Sequence, residues 1–101
     1  MLQHIGILTF GENAPDDLGD RLRDGFAGLV GAIPGLLSAQ SRTDLGLKEG
    51  NGSFVFQLEF DSVEAWRGYF GHPAHQAVSH ELVLPYVTAK TFVQVEPDVS
   101  S

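Results

Sequence analysis

The sequence contains no cysteine. This excludes disulfide bonds, a thiolate nucleophile and sulfur-ligated metal sites, and it is compatible with a reducing compartment. Basic residues are also scarce, with six Lys plus Arg against thirteen Asp plus Glu and a formal net charge of −7. Because nucleic acids and acidic lipid surfaces attract basic proteins, this balance argues against both as partners.

Long apolar runs are missing as well. The segment from Met1 to His4 has no basic stretch that leads into an apolar run, so no signal peptide is visible. No run approaches the roughly 18–20 apolar residues of a membrane span, and we expect a cytoplasmic protein without a membrane partner. The 101 residues suffice for one domain, which we place at residues 1–97, followed by a frayed tail at 98–101.

Hydrophobic periodicity predicts four strands. The clearest is 53–60, in which alternate residues from Phe54 to Phe60 share one apolar face. The strand at 2–10 has apolar residues on both faces, which indicates that both faces are covered. Weaker patterns predict strands at 36–45 and 88–96.

The first helix is predicted between the first two strands. It begins at Pro15-Asp16-Asp17, where acidic residues suit the positive end of the helix dipole. Apolar residues then recur at spacings of three and four from Leu18 to Ile33, and Pro34-Gly35 ends the helix.

A second helical region follows the third strand. Asp61-Ser62-Val63-Glu64 has the spacing of a capping box, and Gly71 ends the helix. Its buried stripe is predicted to comprise Val63, Trp66 and Phe70. Pro73 suits the first position of a further helix that runs to about Leu84.

The predicted order of elements, β-α-β-β-α(α)-β, is that of the ferredoxin-like fold. This α+β architecture packs its helices on one face of an antiparallel sheet. Ile5 and Ile7 point to the other face, which therefore needs a different cover. A second copy of the sheet is the simplest one, so we predict a homodimer.

Four histidines, His4, His72, His75 and His80, supply the groups that titrate near neutral pH. On a helical wheel, His75 falls on the stripe that faces the sheet, whereas His80 falls on the solvent side and His72 precedes the helix as a cap or hinge. The helix dipole and burial both lower the pKa of an inward imidazole in a first turn. A neutral His75 is therefore a candidate general base.

Tyr69 lies about one turn and a corner before His75, so its hydroxyl is expected to reach the same cavity and to polarise a carbonyl there. His4 and Gly6 share one side of the first strand, where a glycine leaves room that a side chain would fill. The alternative is structural, since an inward histidine near a helix start often binds the backbone and a lone tyrosine often only packs.

Motifs for a metal or a cofactor are weak. His72 and His75 have a chelating spacing, but no third ligand is placed to join them. The segment Gly50-Asn51-Gly52 is followed neither by Lys-Ser/Thr nor by a helix, as a phosphate loop would be. We therefore expect no metal ion and no cofactor.

The sequence resembles the stress-responsive dimeric α/β-barrel (Dabb) family over nearly its whole length. The resemblance is carried by His72-Pro73-Ala74-His75, by Tyr69-Phe70-Gly71 before it and Leu84-Pro85-Tyr86 after it, and by His4-Ile5, Ile33-Pro34-Gly35 and the stretch from Phe60 to Ala65. It implies a ferredoxin-like fold whose sheets meet in a dimeric barrel.

The resemblance also implies an activity. In the plant olivetolic acid cyclase, a polyketide cyclase of this family, a tyrosine and the second histidine of the motif carry an aldol cyclisation, and a first-strand histidine lies nearby. These catalytic roles would fall on Tyr69, His75 and His4. The substrate-binding residues expected around them are Gly6, Leu8, Leu22, Phe26, Phe56, His72, Leu82 and Tyr86. Arg23 is either a hint of an anionic ligand or a solvated surface charge.

Three functions remain open from the sequence. The first is a cofactor-free acid/base enzyme, such as a polyketide cyclase-like lyase, that acts on a small apolar or aromatic carbonyl compound. The second is a non-catalytic, stress-responsive dimer that binds a small ligand. The third is a cofactor-free oxygenase of the related barrels, which the single Trp66 and an apolar pocket permit.

Overall fold

The structure, a computed structural model, describes residues 1–97. The frayed tail predicted at 98–101 lies outside the described residues. The elements in chain order are β1 (Leu2–Phe10), α1 (Leu18–Ala27), β2 (Leu36–Thr43), β3 (Phe54–Phe60), α2 (Val63–Gly71), α3 (Pro73–Val78), a π-helical turn (Ser79–Val83) and β4 (Val87–Val95).

The four strands form one antiparallel sheet in the order β2-β3-β1-β4. This is the predicted ferredoxin-like fold. β1 lies between β3 and β4, so its residues from Gln3 to Leu8 have a partner on both sides. His4 pairs with Leu58 and Gln94, and Gly6 pairs with Phe56 and Phe92. The register thus places side chains of three strands in one row on the helix face.

The helices cover one face of the sheet, as predicted. The core between them is apolar, and Leu8, Leu22, Leu58 and Phe60 are among its most buried members. On the opposite face the apolar side chains of Ile7, Val93 and Val95 stay exposed. No helix within residues 1–97 has the length and apolarity needed to cross a membrane.

The prediction of a helix up to Ile33 is wrong in its last turns. α1 ends at Ala27, and the chain continues in tight turns that keep Leu29 and Ile33 buried but leave Val30 exposed. Gly31 adopts a φ of +90°, a conformation outside the right-handed helix that glycine reaches without a steric penalty. A helix that continued through Gly31 to Ile33 is therefore incompatible with the backbone, although the apolar spacing continues.

The buried stripe predicted for α2 is also wrong. Val63 and Phe70 are 41% and 43% exposed, whereas Tyr69 is only 2% exposed and packs edge-on against Phe60. These exposures show that the helix is rotated relative to the prediction, so that Tyr69 rather than Phe70 faces the core. The helix begins where predicted: the Ser62 hydroxyl accepts a hydrogen bond from the backbone N–H of Ala65 and caps it.

The helix predicted from Pro73 to Leu84 divides into two parts. α3 ends at Val78, and the next turn is π-helical, with the Leu84 N–H donating to the Ser79 carbonyl at 2.9 Å. A π-helical turn contains an extra residue, and such turns are frequent at functional sites.

Candidate active site

A cavity of about 150 Å³ lies between the helix face of the sheet and the α2–α3 corner. Its walls are mostly aromatic and aliphatic. Phe70, Phe92 and Lys90 are its exposed lining residues and mark its mouth. The full lining comprises His4, Leu8, Phe26, Phe56, Tyr69, Phe70, His75, Val78, Ser79, Val83, Lys90 and Phe92.

His4 of β1 is the buried imidazole of this cavity, with 2% of its surface exposed. Its Nδ1 accepts a hydrogen bond from the indole Nε1–H of Trp66 at 3.3 Å and lies 3.0 Å from Nε2 of Gln94. Because an indole N–H can only donate, Nδ1 of the neutral ring carries no proton, and the proton sits on Nε2. Burial is the main cause that lowers the pKa of His4 to about 4, and the nearby His75 contributes to the same shift.

His75 of α3 has the opposite arrangement. Its Nδ1 lies 3.3 Å from the backbone carbonyl oxygen of Phe70. A carbonyl can only accept, so Nδ1 carries the proton and Nε2 keeps its lone pair. Burial is the main cause that lowers the pKa of His75; the hydrogen bond to Phe70 acts against it, and the positive charge of Lys90 acts with it.

The ring of Tyr69, on α2, lies close to both imidazoles. Its ring centroid lies 4.0 Å from that of His75 and 5.9 Å from that of His4. Its hydroxyl has no hydrogen-bond partner among residues 1–97. Every fully buried polar side-chain atom in this range does have a partner. The Tyr69 hydroxyl is therefore not fully buried and reaches the surface of the cavity. Burial raises the pKa of Tyr69, which therefore stays protonated and remains a donor.

The structure brings six of the eleven residues expected at the site to the cavity. They are His4, Leu8, Phe26, Phe56, Tyr69 and His75. Phe56 narrows the space from the sheet and stacks on Phe26 with ring centroids 4.5 Å apart.

The other five expected residues lie elsewhere. A Cβ at Gly6 would lie 2.2 Å from the Phe56 ring and 2.8 Å from Phe92, so this glycine makes room for two aromatic rings rather than for a ligand. Leu22 is fully buried in the core. His72 is occupied as the cap of α3, where its Nδ1 accepts from the N–H of Ala74 at 3.1 Å.

Leu82 and Tyr86 pack against the core outside the cavity. Leu82 follows the change from α3 to the π-helical turn, which alters the helical wheel that placed it beside His75. The carbonyl of Tyr86 binds the N–H of Gly11, which holds this residue at the end of β1.

Sequence reasoning missed six lining residues, which lie on α2, α3, the π-helical turn and β4. They are Phe70, Val78, Ser79, Val83, Lys90 and Phe92. On β4 the alternation of Lys90, Phe92 and Gln94 was available as a signal, but only the register with β1 places them beside Leu8, Gly6 and His4. Arg23 is exposed and 3.6 Å from Asp20. The cation at the cavity is Lys90 instead.

In the described part of the chain, no three His, Asp or Glu side chains converge on a point where they would hold a metal ion. His72 and His75, the pair with chelating spacing, direct their Nδ1 atoms to different backbone groups. The cavity therefore offers hydrogen-bond donors and one basic nitrogen as its chemical groups.

The sequence model of the Dabb family, the stress responsive A/B barrel domain, matches residues 2–97. No curated protein matches the chain. Among solved structures, protein At3g17210 from Arabidopsis thaliana is 21% identical with a TM-score of 0.83, and the match covers 100% of this chain and 99% of that chain.

Two enzymes have a similar fold. A hydroxynitrile lyase from Passiflora edulis is 15% identical with a TM-score of 0.80, over 99% of this chain and 95% of that one. SnoaB, a cofactor-independent oxygenase from Streptomyces nogalater, is 12% identical with a TM-score of 0.75, over 98% and 94%. Three bacterial ferredoxin-like proteins that also match are described as dimeric.

Proposed function

Since the chain belongs to the Dabb family of stress responsive A/B barrel domains, we propose that it is a cofactor-free acid/base enzyme that acts on a small carbonyl compound. The proposal depends on the observation that the two imidazoles carry their protons on different ring nitrogens. His75 offers an unprotonated Nε2, while His4 and Tyr69 offer donors to the same cavity. A base and a pair of donors are what proton abstraction beside a carbonyl requires.

The proposed step moves one proton. Nε2 of His75 takes it from the carbon next to the carbonyl, and the electron pair of that C–H bond becomes the enolate. Its developing negative oxygen is bound by the Tyr69 hydroxyl and by Nε2–H of His4. Return of the proton, or attack of the enolate carbon on a second carbonyl of the substrate with proton transfer to the new alkoxide, completes an isomerisation or an aldol cyclisation of the polyketide cyclase type.

The dimensions of the cavity restrict the substrate. A space of about 150 Å³ is comparable with cavities that hold a benzene-sized molecule. Apolar and aromatic walls favour one ring or a short alkyl chain around the carbonyl. A longer substrate would extend past Phe70 and Phe92 into solvent.

Charge at the mouth favours an anionic substrate. Lys90 lines the cavity, and no Asp or Glu does. The register places Lys90 beside Leu8, on the same face of the sheet as His4. A carboxylate on the substrate would bind here and would orient the carbonyl toward the interior.

We propose a homodimer as the working form. The sheet face opposite the helices exposes Ile7, Val93 and Val95, and dimeric relatives share the fold. A second sheet on this face would remove the apolar side chains from water. The catalytic cavity lies on the other face, so dimer formation leaves it open to substrate.

A non-catalytic ligand-binding dimer is the main alternative, and an oxygenase is the other. The cavity supports ligand binding under any of the three. The position of His75 in the cavity wall favours the enzyme, because its Nδ1 is paired with the Phe70 carbonyl and its Nε2 remains to accept a proton from a substrate. Oxygen consumption with a reduced aromatic substrate would identify the oxygenase.

Exchange of α-protons for deuterium tests the proposal. Small aryl and alkyl ketones, with and without a carboxylate, are incubated with the protein in D₂O and followed by proton NMR. We expect catalysed exchange that falls at least ~100-fold in His75→Ala, the range ascribed to a general base, and that falls in Tyr69→Phe. His80→Ala is the matched control, because His80 is exposed one turn farther along. Unchanged exchange in a folded His75→Ala protein would overturn the proposal.

A further inference from the structure

We infer that Trp66 and Gln94 are positioning residues that hold His4 in its Nε2–H tautomer, so that β1 presents a constant hydrogen-bond donor to the cavity. The catalytic consequence of this inference rests on the proposed function. The tautomer itself does not, because it is a property of the unliganded protein.

The two residues approach Nδ1 of His4 from different elements. Trp66 comes from α2 and donates its indole N–H across 3.3 Å. Gln94 comes from β4, where it is the direct partner of His4 in the β1–β4 register, and its side-chain nitrogen is 3.0 Å away. A helix and an edge strand thus converge on one nitrogen atom.

Trp66 decides the tautomer. The side-chain amide of Gln94 can rotate and offer its oxygen, so Gln94 alone would accept either tautomer. The indole has no acceptor, so a proton on Nδ1 would face the indole N–H and leave the indole donor without a partner, even with the Gln94 oxygen turned toward the ring. A donor left without a partner in these half-buried surroundings is unfavourable, so we expect the Nδ1–H form to be a minor species.

The surroundings prevent the ring from escaping this contact by rotation. Aromatic rings of α2, β3 and β4 lie around His4 with centroids 5.4–6.2 Å away: Phe56, Trp66, Tyr69, Phe70 and Phe92. The titratable groups around the cavity are His75, Tyr69 and Lys90. No carboxylate among them would stabilise a proton on Nδ1.

The two histidines have different roles in the proposed reaction. His75 is held as an acceptor by the Phe70 carbonyl, and His4 is held as a donor by Trp66 and Gln94. If His4 adopted the other tautomer, its lone pair would face the enolate oxygen. The cavity would then repel the charge that it now stabilises.

The tautomer is measured directly by long-range proton–nitrogen NMR of ¹⁵N-labelled protein. At pH 9, where His4 is neutral, the wild type is expected to show the proton on Nε2 of His4. Trp66→Phe combined with Gln94→Glu replaces the obligate donor and adds an acceptor, so Nδ1–H is expected to become the main form. Gln40→Glu is the control, because this exposed β2 residue adds the same charge away from the cavity and leaves the tautomer unchanged.

Each result has a definite meaning. A proton on Nδ1 of His4 in the wild type would overturn the inference, even if the double variant failed to fold. Retention of Nε2–H in a folded double variant would overturn it as well.

Ketone exchange is then measured on the same samples. A switched tautomer with at least ~10-fold slower exchange supports the positioning role, and unchanged exchange contradicts it. Absence of exchange in the wild type counts against the proposed function and leaves the tautomer result intact.

Discussion

At the residue scale, the cavity contains two imidazoles in different surroundings. His4 contacts an indole and an amide, and His75 contacts a carbonyl and a phenol ring. Burial lowers the pKa of both, so at neutral pH both rings are uncharged. Their chemical difference then lies in which nitrogen carries the proton, and the neighbours of each ring determine this.

The low pKa of His4 has a consequence for stability. The ring has a pKa of about 4 in the folded protein against an ordinary value of 6.5, so the unfolded chain binds this proton first as the pH falls. Stability contributed by the neutral ring is complete above pH 6.5 and decreases as the pH falls toward 4. At pH 5 the loss is about 2 kcal/mol. Urea unfolding at pH 8 and pH 5 measures it.

His4→Gln is the comparison for this measurement. Glutamine does not titrate, so the difference in unfolding free energy between the two pH values should be about 2 kcal/mol smaller in this variant. An equal pH dependence in both proteins would contradict the low pKa of His4.

Lys90 provides a test of the substrate charge. Benzoate and its neutral analogue benzamide fit a cavity of this size, and Lys90→Met is expected to weaken benzoate binding about 5-fold, or roughly 1 kcal/mol. Benzamide binding should stay within about 2-fold. Lys48→Met serves as the matched control, because Lys48 lies in the exposed loop between β2 and β3. Titration calorimetry gives the affinities, and equal losses for both ligands would argue against an anion site.

At the element scale, the α2–α3 corner determines where His75 lies. His72 is the C-cap of α2, where its backbone N–H donates to the Tyr69 carbonyl, and its side chain caps α3. Pro73 fixes the backbone at the first position of α3. His75 then follows in the first turn of a six-residue helix. The His-Pro-Ala-His motif is thus divided, with its first histidine used for geometry and its second left to face the cavity.

Because the side chain of His72 acts as a helix cap, we expect different effects from asparagine and alanine at this position. Because asparagine is a good N-cap, His72→Asn should keep stability and ketone exchange near the wild-type level, whereas His72→Ala should lose about 1 kcal/mol of unfolding free energy. Thermal unfolding and the exchange assay measure the two effects. Loss of exchange in a stable His72→Asn protein would restore the substrate-binding role that the sequence suggested for this residue.

Sequence patterns predicted the elements better than their ends or their rotation. The alternation around Phe56 and the capping box at Ser62 are local, so β3 and the start of α2 agree with the structure. The rotation of α2 depends on what lies beneath it, and the pattern of Val63, Trp66 and Phe70 did not contain that information. The same applies to Lys90, whose neighbours are known only once β1 and β4 are paired.

At the scale of the whole molecule, the main feature is the sheet face opposite the helices, whose apolar side chains are exposed to water. A glutamate at the centre of an apolar interface would be desolvated without a partner, so Ile7→Glu should dissociate the proposed dimer. Light scattering on a sizing column is expected to show twice the subunit mass for the wild type and a single subunit for the variant. Leu45→Glu is the control, because Leu45 is more exposed than Ile7 but lies in a loop.

The dimer was predicted from a surplus of apolar residues and not from any motif. Ile5 and Ile7 were readable as outward-facing because the period of a strand is two, and β1 follows that period from Leu2 to Leu8. The residues that complete the patch, Val93 and Val95, come from the far end of the chain. Only the antiparallel pairing of the first and last strands unites them.

Gly6 links the sheet to the capacity of the cavity. The Phe56 and Phe92 rings meet where its side chain would stand, so the innermost wall of the cavity is a ring resting directly on the backbone of β1. A shorter side chain at position 56 would deepen the hollow toward the sheet while leaving its mouth and the side chains of His4, Tyr69 and His75 in place. One aromatic residue of β3 thus limits the length of the molecule that this chain can admit.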